Sequence, residues 1–356
     1  MRIGMLTGGG DCPGLNAVLR AVTKSLIRQC GAEVVGIEDG FLGLMEQRVR
    51  PLGWDDVSGI VAVGGTVLGT HNRASPLDWQ GRDRRDEVVR YARETLGLEA
   101  LVVIGGDGTM TIGHALAERG LPMVGVPKTI DNDIAGCDRS FGFDTAVATV
   151  TEALERIQTT AQSHGRVMIV ETMGRNAGWI ALEAGIAGAA DVILLPEIDY
   201  DVEAVADVCR TRAARRRHTV VCIAEGAKPR GGAQTVRERI AGSPEPVRLG
   251  GVGHALQAQL QPLIASEVRT TVLGHVQRGG PPTAFDRVLA TQYGNTAAQL
   301  VIEGQFDRMV TLQHGRLTSV PVASVAGRSR QVPADHPLLR CARQIGVALG
   351  EPPAGA

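Results

Sequence analysis

The stretch Leu101–Glu118, LVVIGGDGTMTIGHALAE, decides the fold. Its first four residues are apolar and mostly β-branched, the make-up of a strand buried on both faces. Gly105-Gly106-Asp107-Gly108 breaks the run, and a helical pattern then continues to about Glu118. The same order opens the chain. Ile3 to Leu6 reads as a strand, glycines follow, and Leu15, Val18, Leu19, Val22 and Leu26 recur at helical spacing until Gly31. Further strands are predicted at Val34 to Ile37, Met123 to Val126, Val167 to Val170, Val192 to Leu195 and Val220 to Ile223, with helices over about 144–163, 176–187, 201–216 and 284–303. Such alternation predicts parallel sheets with helices on both faces, and ligands beyond the carboxyl ends of the strands.

Composition narrows the function. The 356 residues carry 37 basic and 38 acidic side chains, a formal net charge of −1, which argues against a nucleic-acid or polybasic membrane surface. The six cysteines lie singly, with no CxxC pair, so neither a zinc site nor a disulfide framework is expected. No apolar run reaches membrane-spanning length and no leader precedes the first strand, so a cytoplasmic protein is expected. Only Lys24, Lys128 and Lys228 among the basic residues are lysines. Gly279-Gly280-Pro281-Pro282 reads as a break between units, 228–250 as polar and turn-rich, and Arg215-Arg216-Arg217 as a solvated helix end. A last helix is expected at 337–348, then a loose tail, Pro352–Ala356.

Four clusters carry chemistry. Gly8-Gly9-Gly10-Asp11, between a strand and a helix, can offer amide groups to a phosphate, although such a loop also suits a structural turn. It is neither a Walker loop nor a dinucleotide fingerprint. Gly105-Gly106-Asp107-Gly108-Thr109 repeats it with an acid, which fits either a helix cap or a Mg²⁺ ligand working with phosphate oxygens. Lys128-Thr129-Ile130-Asp131-Asn132-Asp133 holds two carboxylates and a hydroxyl, more than a turn needs; one aspartate can take a proton while the other orients or binds metal. Arg166, Arg175, Arg269, His275 and Arg278 fall near strand ends. Each arginine alone suits a surface ion pair; together they suit a phosphate monoester.

These segments resemble the 6-phosphofructokinase family. The matching runs are LTGGGDCPGLNAVLRA (6–21), GGTVLGT (64–70), IGGDGT (104–109), PKTIDND (127–133), FGFDTAV (141–147), SHGRVMIVETMGRNAGWIAL (163–182), CIAEGA (222–227) and VRTTVLGHVQRGGPP (268–282). They keep the family's order from residue 2 to about 304. The resemblance implies two doubly wound, Rossmann-like α/β domains with the active site in the cleft between them. An ATP/Mg-binding domain is expected over 1–142 with 277–325, and a sugar-phosphate domain over 143–276 with 326–356.

The resemblance also implies roles: transfer of phosphate from ATP to fructose 6-phosphate, with Gly10, Arg73, Gly108 and Thr109 at the nucleotide and Asp107 holding Mg²⁺. Asp131 is the expected base, with Thr129, Asp133, Lys128 and Arg175 beside the reaction. Met173, Gly174, Arg175 and Glu225 line the sugar, and His275 and Arg278 grip its 6-phosphate. Arg166 and Arg269 match positions that reach a neighbouring subunit's site, so a homo-oligomer, dimer or tetramer, is expected. Three departures stand out: Arg73 is shifted by one residue from the family's donor-loop arginine; Trp54, Gln158 and Ala214 replace basic residues of a bacterial effector pocket; and the family's tail is shorter, so the function of residues beyond about 326 is not covered. Gly108 leaves room for a nucleotide where diphosphate users place Asp, whereas Lys128 matches diphosphate users. ATP is the expected donor and diphosphate the alternative; a catalytically inactive sugar-phosphate-binding homologue is the remote one. A different GGDGT kinase would give no account of PKTIDND or LGHVQRGG.

Overall fold

The computed structural model describes residues 1–239 and 247–352; residues 240–246 of the turn-rich segment and 353–356 of the expected tail lie outside the described residues. The chain opens with β1 (Arg2–Thr7), α1 (Leu15–Cys30), β2 (Glu33–Ile37), α2 (Phe41–Met45) and β3 (Val49–Pro51). A loop-rich stretch carrying α3 (Arg85–Arg90) leads to β4 (Ala100–Gly105), α4 (Asp107–Ala117) and β5 (Met123–Pro127). Next come α5 (Phe143–His164), β6 (Val167–Thr172), α6 (Trp179–Ala187), β7 (Val192–Leu194), α7 (Val202–Ala214) and β8 (Thr219–Ala224). The antiparallel pair β9 (Val236–Arg239) and β10 (Val247–Leu249) precedes α8 (Val252–Leu260) and β11 (Val268–Val272). The last elements are α9 (Ala284–Ile302), β12 (Arg308–Gln313), β13 (Arg316–Pro321) and α10 (Pro337–Gln344).

These elements form two compact units. The first comprises Met1–Ile130, Ile134–Thr145 and Arg278–Arg330; the second comprises Asp131–Asp133, Ala146–Gln277 and the chain from Gln331 onward. In the first, seven strands run in the order β13-β12-β5-β4-β1-β2-β3. The inner pairs are parallel, and β4 and β5 are buried along their whole length. Each large apolar side chain so buried stabilises the fold by about 1.5–3 kcal/mol. The two edge strands, β3 and β13, pair antiparallel, which corrects the expectation of purely parallel sheets. Both return from their neighbour through a short connection, which only an antiparallel partner permits.

The second unit holds a four-stranded parallel sheet, β11-β6-β8-β7. Its outer β7 edge is met by residues after α10: Ile193 N–H donates to Ala348 O at 2.9 Å, and Ala348 N–H to Asp191 O at 3.0 Å. Helix α6 begins at Trp179, later than the expected 176, because Ala177 N–H closes a turn onto Gly174 O at 2.9 Å and Gly178 N–H is taken by Glu197 Oε1 at 3.0 Å. Helix α10 stops at Gln344, short of 348, where Gly346 turns the chain at φ +85°.

Strand register sets where the loops leave. In the first unit Thr7 pairs with Ile104 and Gly105 with Pro127, so the loops after β1, β4 and β5 start side by side. The chain goes from β1 outward to β2 and then returns to β4 on β1's other flank. The switch point therefore lies between the two glycine loops, the position where open α/β sheets bind ligands. In the second unit Thr172 pairs with Ala224 and Glu171 with Val272, so the loops after β6, β8 and β11 also leave together.

Candidate active site

Within the first unit, the β1 loop is held by its carbonyl groups. Thr70 Oγ1 donates to Gly9 O at 2.6 Å, Lys128 Nζ donates to Gly10 O, and Arg278 Nη1 donates to Asp11 O at 3.1 Å. In a trans peptide the carbonyl of one residue and the N–H of the next point in opposite directions. The amides of Gly10, Asp11 and Cys12 therefore face away from those three donors, and none of them donates a hydrogen bond among the described residues. Successive amides left open beside a strand end make an anion-binding concavity. Burial pushes the Cys12 thiol up, so it stays a neutral packing group.

The β4 loop fits against this one through Thr109, which is buried. A Cβ at Gly8 would lie 2.7 Å from Thr109 Cγ2, and one at Gly105 would lie 2.3 Å from Thr109 Cβ. Only glycines at both positions let the two loops close on this threonine. Gly108, by contrast, is exposed, and a Cβ there would meet nothing within 4 Å. Asp107 opens α4, half-buried, and its Oδ1 accepts from Gly327 N–H at 2.6 Å. No group of three metal-ligating side chains occurs among the described residues. A single carboxylate beside a phosphate-binding loop nevertheless fits Mg²⁺, which takes one or two carboxylates and completes its shell with phosphate oxygens and water.

The β5 loop is buried to an unusual degree for so polar a segment: Lys128, Thr129, Asp131 and Asn132 are 3–9% exposed. Ser140 Oγ donates to Thr129 O at 2.8 Å, and Lys128 N–H donates to Gly105 O at 2.9 Å. Asn132 has φ +53°. A non-glycine residue in the left-handed region costs of order 1 kcal/mol and persists where surroundings over-determine it. Asp131–Asp133 group with the second unit, while Lys128 and Thr129 belong to the first.

In the second unit the amides are taken instead. Met173 N–H donates to Gln277 Oε1 at 3.2 Å and Arg175 N–H to Glu225 Oε1 at 3.0 Å. Gln277 is fully buried and returns a bond from Nε2 to Gly274 O. Burial pushes the Glu225 carboxyl up to about 7; the Arg175 amide works against this, and the Asp131 and Glu171 carboxylates add to it. Glu171 is buried and accepts from Gly251 and Gly253 N–H, both at 2.8 Å, which fixes the start of α8.

His275 is exposed in the turn after β11, in the second unit, whereas Arg278 lies in the first, against Gly10 and Asp11. Arg73 is exposed, its amide held by His71 Nδ1. Arg166 and Arg269 both pair with Glu267, and the hydrogen bond from Arg166 holds that carboxyl below its usual range. Gln158 Nε2 donates to Gly188 O and Ala189 O, and Trp54 lies under the Lys24 ammonium at 4.2 Å. Sequence reasoning passed over Thr70, Gln277 and Glu171. Each is a polar residue inside or beside a quoted motif, and its role shows only through a partner more than 60 residues away.

The phosphofructokinase family model matches residues 2–301. An ATP-dependent 6-phosphofructokinase of Chloroflexus aurantiacus is 48% identical over 356 residues, covering 98% of each chain. A pyrophosphate–fructose 6-phosphate 1-phosphotransferase of Streptomyces coelicolor is also 48% identical, over 351 residues, covering 98% of this chain and all of that one. Among solved structures, phosphofructokinase from Saccharomyces cerevisiae superposes with a TM-score of 0.77 at 31% identity, over 91% of this chain and 45% of the yeast chain.

Proposed function

The chain belongs to the phosphofructokinase family, and on that premise we propose that it transfers the terminal phosphoryl group of ATP to the 1-hydroxyl of D-fructose 6-phosphate, releasing fructose 1,6-bisphosphate and ADP. Relatives named for ATP and for pyrophosphate share the same identity with it, so overall likeness does not choose the donor. The observation that carries ATP is the open space at Gly108: neither bulk nor charge there opposes an α-phosphate. The open amides of Gly10, Asp11 and Cys12 suit the phosphate chain.

In this reading Asp131 accepts the proton as the sugar 1-oxygen bonds to the terminal phosphorus and the bond to the β-phosphate oxygen breaks, leaving ADP. Thr129, Asp133 and Arg175 orient the reacting groups, and Lys128 adds positive charge near the transferring phosphoryl group. Asp107 would hold Mg²⁺, which when bound with the nucleotide neutralises charge on the phosphate oxygens. Arg73 and Thr109 complete the nucleotide side. Met173, Gly174, Arg175 and Glu225 line the sugar, while His275 and Arg278 take its 6-phosphate. In a homodimer or homotetramer in the cytoplasm, Arg166 and Arg269 would leave Glu267 for a neighbouring subunit's sugar phosphate.

A diphosphate donor is the second reading, favoured by Lys128, whose ammonium lies on the β1 loop at Gly10 O and can add positive charge to a leaving diphosphate. A donor-swap assay on fructose 6-phosphate decides. Wild type should turn over with MgATP and run at a small fraction of that rate with magnesium diphosphate; the reverse ranking would overturn ATP as donor and make Lys128 the better guide.

A further inference from the structure

Residues 327–332 lie past the stretch that the family model matches, yet within the 98% of the chain that relatives share, and they touch proposed site residues in each unit. Gly327 N–H donates to Asp107 Oδ1 at 2.6 Å, and Ser329 bridges Ile134, just past the Asp131–Asp133 loop. Four residues after Gly327, Gln331 Nε2 donates at 3.0 Å to the carbonyl of Asn176, the residue following Arg175. Val332 N–H then donates at 2.8 Å to Glu197 Oε1, the same oxygen that accepts from Gly178 N–H at 3.0 Å. Gln331 and Asn176 are both exposed, so burial alone does not account for their bond.

We infer that Gly327–Val332 is a positioning strap for both substrates: the Gly327 amide fixes the metal carboxylate, and the Gln331 side chain fixes the main chain of the sugar loop. The inference rests on the kinase reading for the identity of the two ligands. A carboxylate oxygen held by an amide keeps the Asp107 side chain in one rotamer and leaves its second oxygen for the cation it would hold; loss of such an outer partner lowers metal affinity by about 10–100-fold. At the sugar loop the strain is local. Gly174 and Arg175 are left-handed, and the Asn176 carbonyl follows directly, so a donor on that carbonyl helps to hold a conformation the loop would otherwise leave.

The test uses the full-length chain. Replacing Gly327 by glycolic acid puts an ester oxygen where the N–H was; calorimetry should show MgATP affinity falling about tenfold and metal-free ATP affinity within about twofold of wild type. Gln331→Ala should raise the KM for fructose 6-phosphate about three- to tenfold with kcat within about twofold, and Gln331→Arg, which restores a donor of similar reach, should bring KM back. Equal weakening of both ligands by both changes, or no effect from either, overturns the strap. Hydrogen exchange separates this failure from failure of the kinase reading. If wild type binds no fructose 6-phosphate, the kinase reading falls; faster exchange at the Arg175 and Ala177 amides in Gln331→Ala still supports the strap, and unchanged exchange overturns it.

Discussion

The loops at the strand ends of the two units are built in opposite senses. In the β1 loop three side chains occupy consecutive carbonyls, from Gly9 to Asp11, and leave amides open. In the loop after β6, acceptor side chains occupy the amides of Met173, Arg175 and Gly178, and recognition is left to side chains. The difference suits the ligands proposed for the two units. A polyphosphate chain is a repeating anion that a row of main-chain dipoles matches at every oxygen, whereas a sugar phosphate presents unlike groups that only chosen side chains can tell apart.

The change with the largest expected effect removes the proposed base. Asp131→Asn keeps the shape of the buried side chain but cannot take the proton, so kcat should fall by about 10²–10⁴-fold or more while the KM for fructose 6-phosphate stays within about threefold. Turnover within tenfold of wild type would put the base elsewhere.

Gly108→Asp attacks the amide-lined half alone. The position has room for the new side chain, so the fold should survive. Its carboxylate would face the α-phosphate, and like charges about 4 Å apart near a protein surface repel by about 4 kcal/mol, so kcat/KM for ATP should drop at least about 100-fold. With diphosphate the rate should hold or rise, because Lys128 is already present. A parallel loss with both donors would mean that the change distorts the β4 loop.

Arg278→Ala probes a residue that serves both senses of construction. Losing a charge-assisted contact to the 6-phosphate should raise the KM for fructose 6-phosphate by about 10–100-fold. Freeing the Asp11 carbonyl should cost ATP only a few-fold. Equal losses would make the guanidinium a pin for the β1 loop and nothing more.

The smallest effect is a slope. The Glu225 carboxyl moves from 4.5 up to about 7 on folding. A raised pKa means that the native state holds the proton longer, so its stabilising contribution is complete below about pH 4.5 and lost as pH rises through 7. Between pH 5 and 8 the wild type should therefore lose up to about 3 kcal/mol relative to Glu225→Gln. Thermal midpoints at the two pH values check this; parallel shifts in both proteins would show that the carboxyl is not buried in solution.

Much of this was legible beforehand because buried parallel strands advertise themselves. Leu101–Ile104 and Val220–Ile223 are runs that suit little else, and glycines at strand ends mark close approach. The motif loops were legible as chemistry because polar residues there exceed what turns need. What was not legible depends on distant partners. Nothing near Thr70 says that it will meet Gly9, and nothing near Gln277 says that its amide will be fully buried against Met173. The antiparallel edges escaped notice for a similar reason: Arg316–Pro321 is largely exposed and lacks the apolar density of an inner strand.

The residues that meet β7 have a consequence for how stray strands are kept off this sheet. A parallel sheet ends in two rows of unpaired main-chain groups, each a template for a stray strand. On one edge Ala348 fills part of that row. On the other, β11 carries the charged Arg269, paired with Glu267 just ahead of the strand, a burden that a stray strand would have to accommodate. One edge is partly covered by chain and the other carries charge. A protease nick between α10 and Ala348 would undo the first guard and leave the second, so clipped material should clump through β7 at salt concentrations that leave intact protein clear.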